Sequence, residues 1–150
     1  MRVVIQRVSN ARVEIEESIS GSIENGFMIL LGIGDDDEKE DADWLVKKIC
    51  SLRVFSDDEG KMNRDILETK GDFLVVSQFT LHAKYKKGTR PSFIKAARPE
   101  KAVPLYEYFC EQLRNESGAQ VETGEFGAMM NVTLTNEGPV TILMDTKDKQ

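Results

Sequence analysis

The sequence predicts an α+β fold in a single domain over residues 1–150: an antiparallel or mixed β-sheet with a barrel-like core, and two main helices. Three observations carry this expectation. Two segments, 38–52 and 99–115, repeat apolar residues at helical spacing. Several shorter runs alternate apolar and polar side chains or are apolar throughout, as half-buried and fully buried strands do. Finally, the 150 residues are 40% hydrophobic and contain no repeat, linker or low-complexity segment to divide them, so they suffice for one core.

Taken in order, Val3-Val4-Ile5-Gln6-Arg7-Val8 reads as a strand, and Ala11-Arg12-Val13-Glu14-Ile15-Glu16 as another with one apolar and one charged face. Ser20-Gly21-Ser22 is a turn signal. Ile23 and the run Phe27-Met28-Ile29-Leu30-Leu31-Gly32-Ile33 return as strand, the run being apolar enough to lie centrally in a sheet. Residues 38–52 form the first helix, because Ala42, Leu45, Val46, Ile49 and Leu52 share a stripe that Trp44 and Cys50 widen. The acidic run Asp35-Asp36-Asp37-Glu38-Lys39-Glu40-Asp41 suits that helix's N-terminus, where carboxylates meet unpaired N–H groups. A metal site is the sharper alternative, and consecutive carboxylates lack its ligand spacing.

Arg53-Val54-Phe55 reads as a short strand and Ser56-Asp57-Asp58-Glu59-Gly60 as a turn, while residues 62–67 are ambiguous. Gly71 opens a buried strand through Leu74-Val75-Val76, and Gly88 and Pro91 mark a loop. The second helix turns Ala102, Leu105, Tyr106, Phe109, Cys110 and Leu113 inward; Pro104 kinks it or shifts its start, and Gly118 stops it. Val121-Glu122-Thr123 is a short strand. Met130, Val132 and Leu134 alternate with polar neighbours as a half-buried strand, and residues 140–144 form the last one. The polar residues 145–150 are expected to fray.

No stretch approaches the roughly 20 apolar residues of a membrane span, and Met1-Arg2-Val3-Val4 lacks a signal peptide's apolar segment. A cytoplasmic protein without a membrane partner is expected. Cys50 and Cys110 fall in the predicted helices without a Cys-x-x-Cys or Cys/His cluster, so they are read as reduced, buried hydrophobes. The lone histidine, His82, leaves no multi-His metal centre, and no Ser-His-Asp triad unless His82 is itself the base. Neither metal nor cofactor is expected. The formal net charge of -6 disfavours nucleic acid, yet residues 82–101 carry Lys84, Lys86, Lys87, Arg90, Lys95, Arg98 and Lys101 against Glu100 alone. With Tyr85 and Phe93 interleaved as stacking surfaces, this patch is a candidate phosphate contact, through Lys84, Lys86, Lys87 and Arg90; a solvated loop is the plain alternative.

The chemistry-bearing stretch is Ser77-Gln78-Phe79-Thr80, which sets two hydroxyls and an amide at the end of the buried strand, where rigid scaffold meets solvent. Alone, such side chains usually satisfy local backbone groups. A second stretch, Asn136-Glu137-Gly138-Pro139-Val140-Thr141, changes that reading. Together with Ser77-Gln78-Phe79-Thr80-Leu81 it resembles the two signature motifs of the D-aminoacyl-tRNA deacylases, in the expected order. The resemblance extends to Val4-Ile5-Gln6-Arg7-Val8, Gly60-Lys61-Met62-Asn63, Arg90-Pro91-Ser92-Phe93 and Thr123-Gly124-Glu125-Phe126-Gly127, and so covers nearly the whole chain. His82 inherits no role from it.

The resemblance implies hydrolysis of the ester joining a D-amino acid to the terminal adenosine of tRNA, by a homodimer without a metal. It implies a catalytic group of Ser77, Gln78, Phe79 and Thr80, and a cis Gly138-Pro139 pair inserted into the partner's site for chiral selection. Arg7 is a candidate to brace that pair, and Phe126 and Met130 to hold the adenosine. With no placed base, the N–H groups of Phe79 and Thr80 are the candidate oxyanion donors, each such donor being typically worth about 3 kcal/mol. The neighbouring ribose hydroxyl would position or activate water. Thr80 is either a nucleophile, which needs a base in reach, or a hydroxyl that orients the loop or a water. Gln78 is expected at the ribose or the loop. The carbonyls of Gly138 and Pro139 would hold the amino group and leave no room for an L side chain, so glycyl-tRNA would also react. A non-catalytic tRNA-binding module and a structural dimer are the alternatives outside the enzyme class, and a pair of intact signatures disfavours both.

Overall fold

The computed structural model describes residues 1–150. Its elements are β1 (Arg2–Ile15), β2 (Ser18–Ile23), β3 (Gly26–Gly32), α1 (Lys39–Cys50), β4 (Phe55–Ser56), β5 (Met62–Arg64), β6 (Asp72–Ser77), a 3-10 turn (Phe79–His82), α2 (Pro99–Ser117), β7 (Val121–Thr123) and β8 (Asn131–Asp145). The main sheet has the order β2-β1-β3-β6-β7, with β8 on the other edge of β1. Pairing is parallel for β3–β6 and β6–β7 and antiparallel elsewhere, so the sheet is mixed. The sheet curls until its two rims meet. Ser20 Oγ donates to the Thr123 carbonyl at 3.2 Å, and a Cβ at Gly21 would lie 2.7 Å from that same oxygen. The result is a nearly closed barrel with two helices against it.

This closure corrects the reading of Ser20-Gly21-Ser22 as a turn: these residues lie inside β2, and the glycine is there for close approach to β7. The chain reverses earlier, at Glu16 and Glu17, both at positive φ (48° and 66°). A two-residue hairpin needs that hand of twist, but glutamates do not advertise it.

Two apolar clusters fill the two sides of the sheet. Val3, Ile5, Phe27, Ile29, Phe73 and Val75 face the helices, which contribute Leu45, Ile49, Phe109 and Leu113. Val8, Ala11, Val13, Ile23, Met28, Leu74 and Val76 fill the barrel. β3 and β6 are buried on both faces, which is why their sequences are apolar runs and not alternations. Both helices begin and end within two residues of the predicted bounds, and Pro104 is absorbed near the start of α2 without ending it. Gly118, at φ 66°, caps α2 in the left-handed region. Cys50 and Cys110 are buried and unpaired, and burial pushes their thiols up to about 12 and about 11.

Tertiary contacts overturn two further expectations, the separate strands and the free tail, while the acidic run caps α1 as expected and does more besides. The strands predicted at 3–8 and 11–16 are one, as are those predicted at 130–134 and 140–144, because β1 and β8 pair along almost their whole lengths. The acidic run divides its labour: Asp41 accepts the N–H of Glu38 at 2.8 Å at the helix start, while Asp37 is buried, accepting the Gly34 N–H at 2.6 Å and pairing with the Met1 ammonium. The segment expected to fray is tied down at 145–147. Arg2 donates to Asp145 at 2.7 Å, the Thr146 N–H to the Met1 carbonyl at 2.9 Å, and Lys147 to Asp41 at 3.1 Å. β4 starts at Phe55, later than the predicted strand, and pairs with β5 in a separate two-stranded sheet, so the ambiguous stretch 62–67 is strand at 62–64 and turn at 66–67. No helix is long and apolar enough to cross a membrane.

Candidate active site

β6 ends at Ser77, opposite Leu31 of β3, and the rest of the first signature leaves the strand. Gln78 makes one more backbone hydrogen bond, donating to the Leu31 carbonyl at 2.8 Å, and Phe79–His82 then wind into a 3-10 turn. This changes the setting of the two candidate donors. Phe79 and Thr80 are the first residues of a helical turn, whose leading N–H groups have no acceptor within the turn. Both residues are exposed, and neither N–H donates to a backbone carbonyl outside the turn, so two adjacent backbone donors stand at the end of a strand whose centre is buried. Such a pair is competent to hold a developing oxyanion.

Thr80 has no base. Its hydroxyl accepts from the Gln78 side-chain amide, and the Nε2 of His82 is buried without any hydrogen-bond partner. The first signature therefore orients its own hydroxyl, and Gln78 serves the turn in this structure. Sequence reasoning missed Gly32. A Cβ there would lie 2.9 Å from both the Gln78 carbonyl and the Leu81 Cβ, so only a glycine lets the turn lie flat on the end of β3. The available signal was a single glycine interrupting an apolar run, which marks close approach of another backbone.

Phe126 and Met130 sit at the same end of the sheet. β7 lies beside β6 with Thr123 opposite Val75, so the chain after Thr123 continues alongside Ser77 and Gln78. Phe126 packs edge-on against Tyr106 with ring centroids 6.0 Å apart, and Met130 covers Gly124, where a Cβ would lie 2.5 Å from the sulfur. Both are half-buried and keep part of their surface open. The basic segment adjoins the same turn. Lys84 and Ser92 exchange backbone hydrogen bonds of 2.8 and 2.9 Å, closing off the loop, and Phe93 meets Phe79 edge-on at 5.0 Å. Lys84, Lys86, Lys87 and Arg90 are exposed and pair with no carboxylate, whereas Lys101 is engaged by Glu38 and the Asp35 carbonyl.

The second signature is a bulge within β8. Asn136 is opposite Val8 and Thr141 opposite Gln6, so the four residues between them face Arg7 alone. Asn136 closes the bulge from inside, its side chain accepting the Val140 N–H at 3.0 Å and donating to Thr141 at 3.0 Å. Arg7 braces it from β1, donating to the Glu137 carbonyl at 3.0 Å. Gly138 has φ +133°, and the Gly138-Pro139 bond is cis; both residues are exposed. The bulge is not beside the Thr80 turn. Arg7 is level with Phe27 and Ser77 with Leu31, which separates the two signatures by four residues along β3 and three strands across the sheet, roughly 13 by 14 Å at ordinary strand spacings.

Residues 4–145 match the family model described as D-Tyr-tRNA(Tyr) deacylase. The D-aminoacyl-tRNA deacylase of Phocaeicola vulgatus is 61% identical over 150 residues, covering all of both chains. That of Thermosipho melanesiensis is 53% identical over 147 residues, 98% of each. Among solved structures, the c-Myc DNA Unwinding Element Binding Protein superposes with a TM-score of 0.92 at 38% identity, over 97% of this chain and 98% of that one. A probable eukaryotic D-amino acid tRNA deacylase reaches 0.81 at 19% identity over 95% and 97%, a likeness of fold alone. With both signatures intact at the open donors and the braced bulge, and with sequence identity of this order over its whole length, the chain belongs to the D-Tyr-tRNA(Tyr) deacylase family.

Proposed function

We propose that this chain hydrolyses the ester bond of D-aminoacyl-tRNA, releasing free tRNA and the amino acid, as a homodimer whose two protomers complete each other's sites. The observation that carries the reading is the separation of two intact signatures within one chain. The Thr80 turn offers donors for an oxyanion but nothing that senses chirality, and the Gly138-Pro139 bulge offers exposed carbonyls far from those donors. A two-fold arrangement that sets one protomer's bulge against the other's turn supplies both functions. β8 suits such an interface, since it pairs with β1 alone and leaves a 15-residue edge open.

The substrate's ester carbonyl then lies against the N–H groups of Phe79 and Thr80, which stabilise negative charge as water attacks. An aminoacyl ester is an activated group, and the neighbouring ribose hydroxyl positions or activates the water, so no protein base is needed. Thr80, held by Gln78, orients the loop or that water. Phe126 and Met130 receive the adenine, and Lys84, Lys86, Lys87 and Arg90 meet the phosphates of the tRNA acceptor end. The carbonyls of Gly138 and Pro139 hold the amino group and occupy the space an L side chain requires. Selection by exclusion rejects L-aminoacyl-tRNA, accepts D residues broadly and admits glycyl-tRNA. Acting on aminoacylated tRNA, such an enzyme serves chiral proofreading in the cytoplasm.

The test is incubation of the protein with matched D-, L- and glycyl-tRNA, following release of the amino acid. Release from the D and glycyl substrates alone is expected. Tight binding without release identifies a tRNA-binding module, and neither binding nor release a structural protein. A glycyl-tRNA as inert as the L substrate, beside an active D substrate, replaces exclusion by positive recognition of the D side chain.

A further inference from the structure

Arg7 reaches two carbonyls, and only one belongs to the bulge. While its Nε donates to Glu137, its Nη1 donates to the Val54 carbonyl at 2.6 Å. A guanidinium is a rigid planar fork, so gripping two acceptors fixes one relative to the other. The position of Glu137, and of the glycine and proline after it, is therefore set by where Val54 is held.

Val54 is buried at the root of the β4–β5 hairpin, and the hairpin is short. Strands of two and three residues do not sustain themselves through ladder bonds. Side chains replace the ladder. Asp57 Oδ1 accepts the N–H groups of Glu59 and Lys61, each at 2.9 Å, and its Oδ2 accepts from the Asn63 amide at 2.7 Å. The Asn63 bond first, and the Lys61 N–H next, hold the Asp57 carboxyl below the usual carboxylate range. Asn63 in turn places the residue before Val54, because Arg53 Nε donates to the Asn63 carbonyl at 2.7 Å. On the other side of Val54, the Phe55 ring packs on Phe27 at 5.0 Å, and Phe27 is the ladder partner of Arg7. A continuous set of contacts thus runs from Asp57 and Asn63 through Arg53 and Val54 to Arg7, and from Arg7 to the bulge.

We propose that the β4–β5 hairpin is a positioning element for chiral selection, with Asp57 and Asn63 as specificity-determining positioning residues that act through Val54 and Arg7. The inference rests on the reading of Gly138-Pro139 as the filter. Neither residue contacts the Thr80 turn, so their loss slackens the filter while leaving the oxyanion donors in place.

The experiment compares hydrolysis of D-tyrosyl- and L-tyrosyl-tRNA by the full-length wild type and by Arg7→Ala, Asn63→Ala, Asp57→Ala and Lys61→Ala, with melting curves for each. Lys61 is the control, since its ammonium meets only Glu59. Asn63→Ala and Asp57→Ala should raise the L-to-D ratio of kcat/KM by about tenfold with the D rate within about twofold, a split that general destabilisation does not produce. Asn63→Ala added to Arg7→Ala should go no further than Arg7→Ala alone, because the two act in series. If Asp57→Ala melts below the assay temperature, Asn63→Ala carries the test. Relaxed selectivity in Arg7→Ala with unchanged selectivity in both hairpin variants overturns the inference and keeps the filter. Unchanged selectivity in Arg7→Ala also overturns the inference, because Asn136 then holds the bulge without Arg7, whereas failure of the D-, L- and glycyl-tRNA comparison overturns the filter; a parallel fall of both rates in the hairpin variants reduces the hairpin to a stabilising element.

Discussion

The two signature segments are held by opposite means. The turn at Phe79–His82 continues a strand buried on both faces and is seated by backbone contacts: the Gln78 N–H on the Leu31 carbonyl, and the Gln78 carbonyl against the bare α-carbon of Gly32. The bulge at 137–140 leaves an edge strand and is held by side chains, Arg7 from one side and Asn136 from within. The difference teaches where each function is vulnerable. On the proposed reading, chemistry built on backbone donors should tolerate the loss of any one polar side chain near it, whereas selectivity built on a side-chain brace should be weakened by a single substitution.

The largest effect should come from disturbing the seat of the turn. In Gly32→Ala the new methyl meets both Gln78 and Leu81, so the turn must lift from β3; kcat/KM for D-aminoacyl-tRNA should fall about a hundredfold, the usual consequence of misplacing a reacting group by about an ångström. Full activity in the Gly32→Ala enzyme would break the comparison. Next comes the basic loop, which lies outside both devices. Alanine at Lys84, Lys86, Lys87 and Arg90 should weaken every tRNA alike and lower the slope of log affinity against log salt by roughly 0.7 to 0.9 for each phosphate no longer neutralised. An unchanged slope returns these residues to a solvated loop.

Smaller effects sharpen the contrast. Thr80→Ala should keep activity within about tenfold of wild type, since the backbone donors remain and no base serves the hydroxyl. An acyl adduct on Thr80 in mass spectra would make it the nucleophile instead. The smallest effect concerns a polar side-chain tether of the turn, Arg2, which donates to the Leu81 carbonyl at 2.9 Å while paired with Asp145. Burial alone would raise the Asp145 carboxyl, but the Lys147 N–H and Arg2 outweigh it and leave it below its ordinary value. A lowered folded-state value stabilises the protein above the unfolded carboxylate range, and that stability disappears as pH falls through the folded value. Asp145→Asn should therefore cost less than about 1 kcal/mol near neutrality, with little change in turnover, and the difference from wild type should vanish in strong acid. A large loss of activity would show that the turn is held by side chains after all.

Much of what the sequence encoded over short range was legible, the reversal at Glu16 and Glu17 being an exception. The helical stripes of α1 and α2, the left-handed stop at Gly118, the burial of Cys50 and Cys110 and the apolar runs of β3 and β6 each follow from side chains a few positions apart. So were the two signatures, which are contiguous. Their settings were not. The Ser20-Gly21-Ser22 triplet looks the same whether it turns or passes close to a carbonyl, and only the arrival of Thr123, about a hundred residues later, decides for closure. Asn136 to Thr141 looks like a turn between two strands, and β1 makes it a bulge in one. Residues 145–147 look free until β1 and the acidic run come alongside. Arg7 meets Glu137 across 130 positions and Val54 across 47, and no local pattern can announce such a contact because its free energy exists only once the barrel has brought the strands together. Periodicity and propensity are properties of neighbours along the chain, while closure, bracing and the distance between the two signatures are properties of neighbours in space.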